Sequence, residues 1–303
     1  MTIAITGGTG FVGQSVLDRA GQQKLPVRAL ARTIPAPEHN GVMWVQGGLS
    51  DVRALDCLMQ GAEAVIHIAG LTNTPDPGEF ELVNVLGTQA VLDAAKRADI
   101  TRYVFVSSLS AREPELSAYG ASKARAEKLV AACGLDWTII RPPAVYGPRD
   151  RDMFELFRAA RWGVVPLPPP GRTSLIHVQD LADLLLALTK PDKQTGTRIF
   201  EPDDGHDNGW SHQDMAKMMG DAFDRKVWAP HLPKSLLQIL ARADGAIRRG
   251  HARLTPDRVG YMTHPDWVAR PSAHIPPAIW QARISAPEGF RSTAQWYRAN
   301  NWL

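Results

Sequence analysis

The sequence predicts an α/β fold, a doubly wound parallel sheet with a smaller C-terminal substrate-binding cap, and three observations carry that prediction. Thr2-Ile3-Ala4-Ile5 reads as a short buried strand that runs straight into Thr6-Gly7-Gly8-Thr9-Gly10-Phe11-Val12-Gly13. Apolar runs then alternate with helically spaced segments up to about Gly147. After that point the alternation stops and proline and tryptophan become frequent. The 303 residues, 44% apolar and 21% charged, are enough for a large core and exclude a disordered chain.

The first element sets the chemistry. Glycines after a parallel strand let the backbone turn sharply, let it approach a pyrophosphate without a Cβ in the way, and aim the next helix's N–H groups at the phosphates. Gly7, Gly10 and Gly13 are therefore expected cofactor contacts, opening a helix whose Phe11, Val12, Val16 and Leu17 are apolar and whose Gln14, Asp18 and Arg19 are polar. Val27–Ala31, Val42–Val45, Ala64–Ala69, Tyr103–Val106 and Trp137–Ile140 read as further strands, with helices over Val91–Ala98 and Ala124–Cys133. Right-handed crossovers would bring Thr6, Ala31, Ala69, Ser107 and Arg141 to one sheet edge, where the ligand crevice of such sheets lies.

Gly163–Arg172, rich in proline, can be neither helix nor central strand and is expected as a loop or lid. Leu175–Val178 and the segment after it read as a strand and helix returning to the main sheet, and cap helices are expected near 213–222 and 234–247. The organisation read from this is a dinucleotide-binding domain over 1–165, with 174–190 returning to it, and a substrate-binding region over 166–303.

Cys57 and Cys133 are the only cysteines, which excludes a disulfide framework; both are expected as small buried apolar residues. No long apolar run and no leader pattern is present, so no membrane partner and a cytoplasmic location are expected. The formal charge is +3, yet from Ala241 onward arginines outnumber acids, read as a solvated basic surface with an anionic partner as the alternative. No nucleic-acid motif accompanies them. His206–His212 lacks a helical ligand pair and reads as a polar loop, so no metal is expected.

Tyr119 and Lys123 stand four residues apart, on one face of a helix, where a lysine cation can bring a phenol toward ionisation near neutral pH. Ser107-Ser108 follows a strand about a dozen residues upstream, where a hydroxyl can hold the oxygen that the tyrosine protonates. Together with Thr6–Gly13, His67-Ile68-Ala69-Gly70, Asn84-Val85-Leu86-Gly87-Thr88, Arg141–Pro148 and His177–Asp180, these residues resemble the extended short-chain dehydrogenase/reductase superfamily, epimerase/dehydratase-like proteins with a Rossmann-type sheet. The resemblance covers about the first 185 residues. It implies Tyr119 as general acid/base, Lys123 as its electrostatic partner and ribose anchor, Ser108 as the hydroxyl that binds the substrate oxygen, and Asn84 as a supporting helix residue. It further implies cofactor contacts at Thr9, Phe11, Val12, Leu49, Ala69, Gly70, Ser107 and Pro142, and at Tyr119 and Lys123 themselves. His67 is expected to pack or hydrogen-bond within the crevice.

Two positions depart from the superfamily pattern. Gly48 stands where an adenine-binding Asp is common, and Ala144 where nucleotide-sugar enzymes commonly place an Asn. At the end of the second strand, Ala31-Arg32 has no acid to engage a ribose 2′-hydroxyl, so NADP(H) is favoured over NAD(H), with Arg32 as main contact and Arg28 as a weaker one. The resulting expectation is an NADP(H)-dependent oxidoreductase interconverting a small-molecule carbonyl and alcohol. A nucleotide-sugar epimerase/dehydratase with bound cofactor and a non-catalytic NADP-binding scaffold or sensor are the alternatives. A homodimer is the superfamily habit.

Overall fold

A computed structural model describes residues 1–36, 41–249 and 252–303. In chain order the strands are β1 (Ile3–Thr6), β2 (Val27–Ala31), β3 (Val42–Gln46), β4 (Ala64–His67), β5 (Arg102–Val106), β6 (Asp136–Ile140), β7 (Ala144–Tyr146), β8 (Arg172–Thr173), β9 (Leu175–His177), β10 (Arg198–Phe200), β11 (Trp210–Ser211) and β12 (Asp266–Trp267). The helices are α1 (Phe11–Gln22), α2 (Val52–Met59), α3 (Gly78–Phe80), α4 (Gly87–Arg97), α5 (Ala118–Ala131), α6 (Phe154–Ala160), α7 (Val178–Ala187), α8 (His212–Asp221), α9 (Lys234–Arg248), α10 (Pro256–Met262) and α11 (Ala286–Ala299).

Among the described residues the main sheet has seven strands in the order β3-β2-β1-β4-β5-β6-β10, all parallel. The strand order reverses beside β1, so β1 and β4 open a crevice at their C-terminal ends. Both faces are covered, which is why β1, β4 and β5 are buried at every position. Ile3, Ile5, Val16, Leu17, Val104 and Leu181 pack one face, and Ala4, Leu55, Val65, Val91, Tyr103 and Ala126 the other.

Every strand expected from the apolar runs forms. β10 was not anticipated, because Ile199-Phe200 is too short a run to read as a strand without its partner β6. The segment expected to return to the main sheet divides: α7 packs on α1, whereas β9 pairs with β7 in a separate two-stranded sheet. Residues 163–171 are irregular, tied to the cap by bridges from Val164 to Trp228 and from Leu167 to His231. Cap helices α8 and α9 lie where they were expected. Cys133 is buried as expected, but Cys57 is exposed, because α2 buries Ala54, Leu55, Leu58 and Met59 and turns position 57 outward.

Candidate active site

The glycine turn fits a dinucleotide. Gly7 takes φ +78°, and a Cβ there would stand 2.6 Å from the Ala69 nitrogen; a Cβ on Gly13 would overlap the Gly7 carbonyl. Both positions therefore require glycine, one for the turn and one for close packing of helix on strand. Gly10 is the N-cap of α1, with no side-chain cap and no acid in the first turn, so the N-terminal N–H groups point at the space a pyrophosphate needs. Thr9 is exposed at the same turn, its carbonyl accepting from Gln14 Nε2 at 2.9 Å, and Phe11 and Val12 open the helix. A groove of about 540 Å³ continues from there, lined by Gly8, Thr9, Gln14, Arg32, Thr33, Pro35 and Trp44. Arg32 is exposed on it, and among the described residues no acid lines it. Arg28 does not reach it: its guanidinium donates to the carbonyls of Cys57 (2.6 Å) and Leu58 (3.1 Å), at the C-terminal end of α2.

Across the crevice Ser117 caps α5 by accepting from Gly120 N at 2.9 Å, which starts the helix immediately before Tyr119. Tyr119 is 7% exposed, between the rings of Phe80 (5.9 Å) and Tyr261 (5.8 Å), with Ser108 beside its phenol; the Ser108 hydroxyl accepts from Ser110 N at 3.1 Å. Burial pushes that phenol well above its usual range, with Ser108 pulling the other way. Lys123 lies one turn on. Its Nζ donates to Val106 O at 2.7 Å and sits 4.5 Å from the centre of the Phe105 ring. Burial, partly offset by Glu127, brings its ammonium down to about 8. The lowered phenol expected from Lys123 is thus absent, because the ammonium is turned to the end of β5 and desolvation outweighs it at Tyr119.

Asn84 sits in a π-helical turn (Glu81–Leu86) that joins α3 to α4, an irregularity frequent at functional sites. Its amide donates to Leu71 O (3.0 Å) and Ser122 Oγ (2.9 Å) and accepts from Leu71 N (2.8 Å), clamping the segment after β4 to α5. Gly70 lies in this clamp; a Cβ there would stand 3.0 Å from Asn84 Oδ1 and 3.7 Å from Lys123 Nζ. Ala69 N donates to Thr6 Oγ1 at 3.3 Å. His67 is fully buried, bonded to Thr6 Oγ1 (2.6 Å) and Thr88 Oγ1 (3.0 Å), and burial followed by the Lys123 charge holds it down to about 3. A neutral histidine so placed ties β1, β4 and α4 together.

Other expected contacts are distributed around this core. Leu49 packs against Gly87, and Pro142 is buried with its carbonyl accepting from Leu109 N at 3.0 Å. The Ser107 hydroxyl donates to Glu127 Oε1 at 2.5 Å, and its backbone N–H donates to Ile140 O at 2.7 Å. Glu127 also takes Arg141 (2.9 and 2.6 Å), and Glu201 takes Arg112 (3.3 Å) and Arg141 (3.6 Å). Tyr261, Asp257 and Glu127 were not anticipated. Glu127 stands four residues past Lys123, a legible helical spacing, whereas Tyr261 and Asp257 reach the site only through tertiary packing of the cap. His206, in the polar loop, stacks on Trp210 (3.7 Å), and His212 Nδ1 bonds Pro169 O (3.0 Å).

A glycine cradle at the switch point of a parallel sheet, facing the buried Tyr119 and Lys123, defines an NAD(P)-binding protein of the Rossmann type. A family model described as NAD(P)H-binding matches residues 7–192. Ceramide reductase of Caulobacter vibrioides is 35% identical over 99% of this chain and 96% of its own length. A 4-hydroxy-2-methyl-3-oxo-4-farnesyl-3,4-dihydroquinoline-1-oxide ketoreductase of Stigmatella aurantiaca is 27% identical over 94% of this chain and 82% of its own. The solved structure of MoeE5 in complex with UDP-glucose and NAD superimposes with a TM-score of 0.77 over 99% of both chains at 22% identity, a likeness of fold. The chain belongs to the NAD(P)-binding extended short-chain dehydrogenase/reductase superfamily, among reductases, dehydratases and epimerases. No helix among its described residues is long and apolar enough to cross a membrane.

Proposed function

We propose that the protein is an NADP(H)-dependent reductase of an apolar carbonyl compound, with Tyr119 as proton donor, Ser108 as the group that orients the oxygen and Lys123 as the ribose anchor. The observation that carries this reading is the placement of Ser108 beside the buried Tyr119, one helical turn from the buried Lys123 and across the crevice from the glycine cradle. When bound, the nicotinamide supplies the hydride to the carbonyl carbon. Tyr119 gives its proton to the carbonyl oxygen, and Ser108 donates a hydrogen bond that fixes that oxygen beside the phenol. A phenol held above its usual range is protonated at neutral pH, the state that reduction needs. The Phe80 and Tyr261 rings exclude water from the transfer.

The apolar substrate class is supported by those aromatic walls, by Ala144 in place of a nucleotide-sugar ligand, and by two relatives whose named substrates, a ceramide and a farnesyl-bearing quinoline, carry long hydrocarbon chains. The NADP(H) preference is supported by Arg32 on a groove that no acid lines among the described residues. Titrating NADPH and NADH into the wild type and Arg32→Ala tests it. The substitution is expected to weaken NADPH by about 1.5–3 kcal/mol, the range of a charged hydrogen bond, and to leave NADH nearly unchanged. Equal or tighter NADH binding by the wild type would defeat the preference.

A further inference from the structure

The cap carries an apolar surface that the reductase site does not use. On α9, Leu236, Ile239, Leu240 and Ile247 are 38%, 61%, 42% and 81% exposed. At 100° per residue these positions fall on one stripe, while Leu237 and Ala241 form a second stripe that packs on Val259 of α10. Lys234 and Arg242 are exposed on the same helix, and Arg249 is exposed at its C-cap. Just upstream, the bridge from Val164 to Trp228 leaves Trp162 and Trp228 exposed at 74% and 69%, with Arg161, Arg225 and Lys226 as chain neighbours. Leu232 packs against Leu237 and Ala241, so the Trp228 segment leads directly into α9.

We propose that this face docks on an anionic lipid bilayer surface, α9 lying in the interface with its isoleucines in the acyl boundary and its cations on the headgroups. An amphipathic helix with a basic polar side binds such a surface through both its apolar area and its charge, and tryptophans favour the headgroup level. A protein groove would satisfy the isoleucines but has no stated need for cations interleaved with exposed tryptophans; a bilayer uses both. The position also serves the site: α10, against which α9 packs, carries Tyr261, whose ring lies 5.8 Å from that of Tyr119. Docking would set the cap beside the store of an apolar substrate. The inference goes beyond the reductase reading and stands on the cap surface alone; its readout needs no turnover.

The test is sedimentation of the full chain with vesicles of phosphatidylcholine alone and of phosphatidylcholine with equimolar phosphatidylglycerol. Binding is expected to the mixed vesicles, to weaken with added salt, and to be slight on phosphatidylcholine. Ile239→Glu/Ile247→Glu should lower the partition coefficient roughly 100-fold, from two lost side-chain burials, and Arg242→Ala/Arg249→Ala roughly 30-fold. NADPH binding, unchanged in both variants, certifies their fold. Brominated lipid should quench tryptophan emission in the wild type, and less in Trp162→Phe/Trp228→Phe. No binding to the mixed vesicles, or variants that bind as the wild type does, would overturn the proposal. So would a wild-type dimer that ignores vesicles and is dissociated by Ile239→Glu/Ile247→Glu, since the face would then belong to a second copy.

Discussion

Tyr119→Phe keeps the ring between Phe80 and Tyr261 and removes only the donor, so cofactor binding is expected to persist while turnover falls about 100-fold or more. Lys123→Met should damage both, which stopped-flow reduction and cofactor titration would separate; a Tyr119→Phe enzyme close to wild type would move the proton elsewhere. His67 offers a stability readout. Its folded pKa, about 3, lies below the ordinary 6.5, so on acidification the unfolded chain takes up a proton that the folded chain refuses. Its contribution is whole above about pH 6.5 and is lost as pH falls toward 3. The urea midpoint of His67→Gln should therefore fall less steeply across that window than that of the wild type; equal slopes would show His67 does not stay neutral. At this scale much of the site was legible, because Tyr119 and Lys123 share a helical face by spacing alone and the glycines announce themselves. The Lys123 orientation was not: which carbonyl an ammonium chooses is decided by β5, Phe105 and burial, none of which a spacing encodes.

α5 is the element on which the proposed chemistry depends, and its start is fixed from two sides. Ser117 caps it from within, and Asp257 of the cap accepts from Ala118 N at 2.5 Å. A Cβ on Gly260 would overlap the Leu116 carbonyl, so α10 needs glycine there to come this close. Asp257→Ala is expected to cost about 0.5–2 kcal/mol, the range of a lost cap, and to lower kcat more than it weakens NADPH, because the cradle lies on the other side of the crevice. Chemical denaturation and steady-state kinetics together check this; unaltered kcat with lost stability would reduce Asp257 to a structural cap. The existence of α5 follows from its sequence, yet its coupling to α10 joins residues 139 positions apart. No periodicity reports such a contact. The same holds for β9, whose apolar run was read correctly as a strand and whose partner, β7, is set by tertiary packing.

For the whole molecule, the alternation of strands and helices was enough to define the parallel sheet and the edge where the crevice opens. The cap was legible only as helices, because its small sheet and exposed α9 face are products of how those helices pack. In the proposed reaction the two parts act together: the sheet presents NADPH, and Phe80 of α3 with Tyr261 of the cap presents an apolar carbonyl to Tyr119. The measurement that tests it most directly is NADPH consumption by the purified protein against long-chain ketones, including an N-acylated 3-keto sphingoid base, beside UDP-, GDP- and dTDP-sugars. Turnover of one or more long-chain ketones, abolished by Tyr119→Phe, and none with the nucleotide sugars, is expected. Conversion or tight binding of a nucleotide sugar, with no ketone reduced, would contradict it.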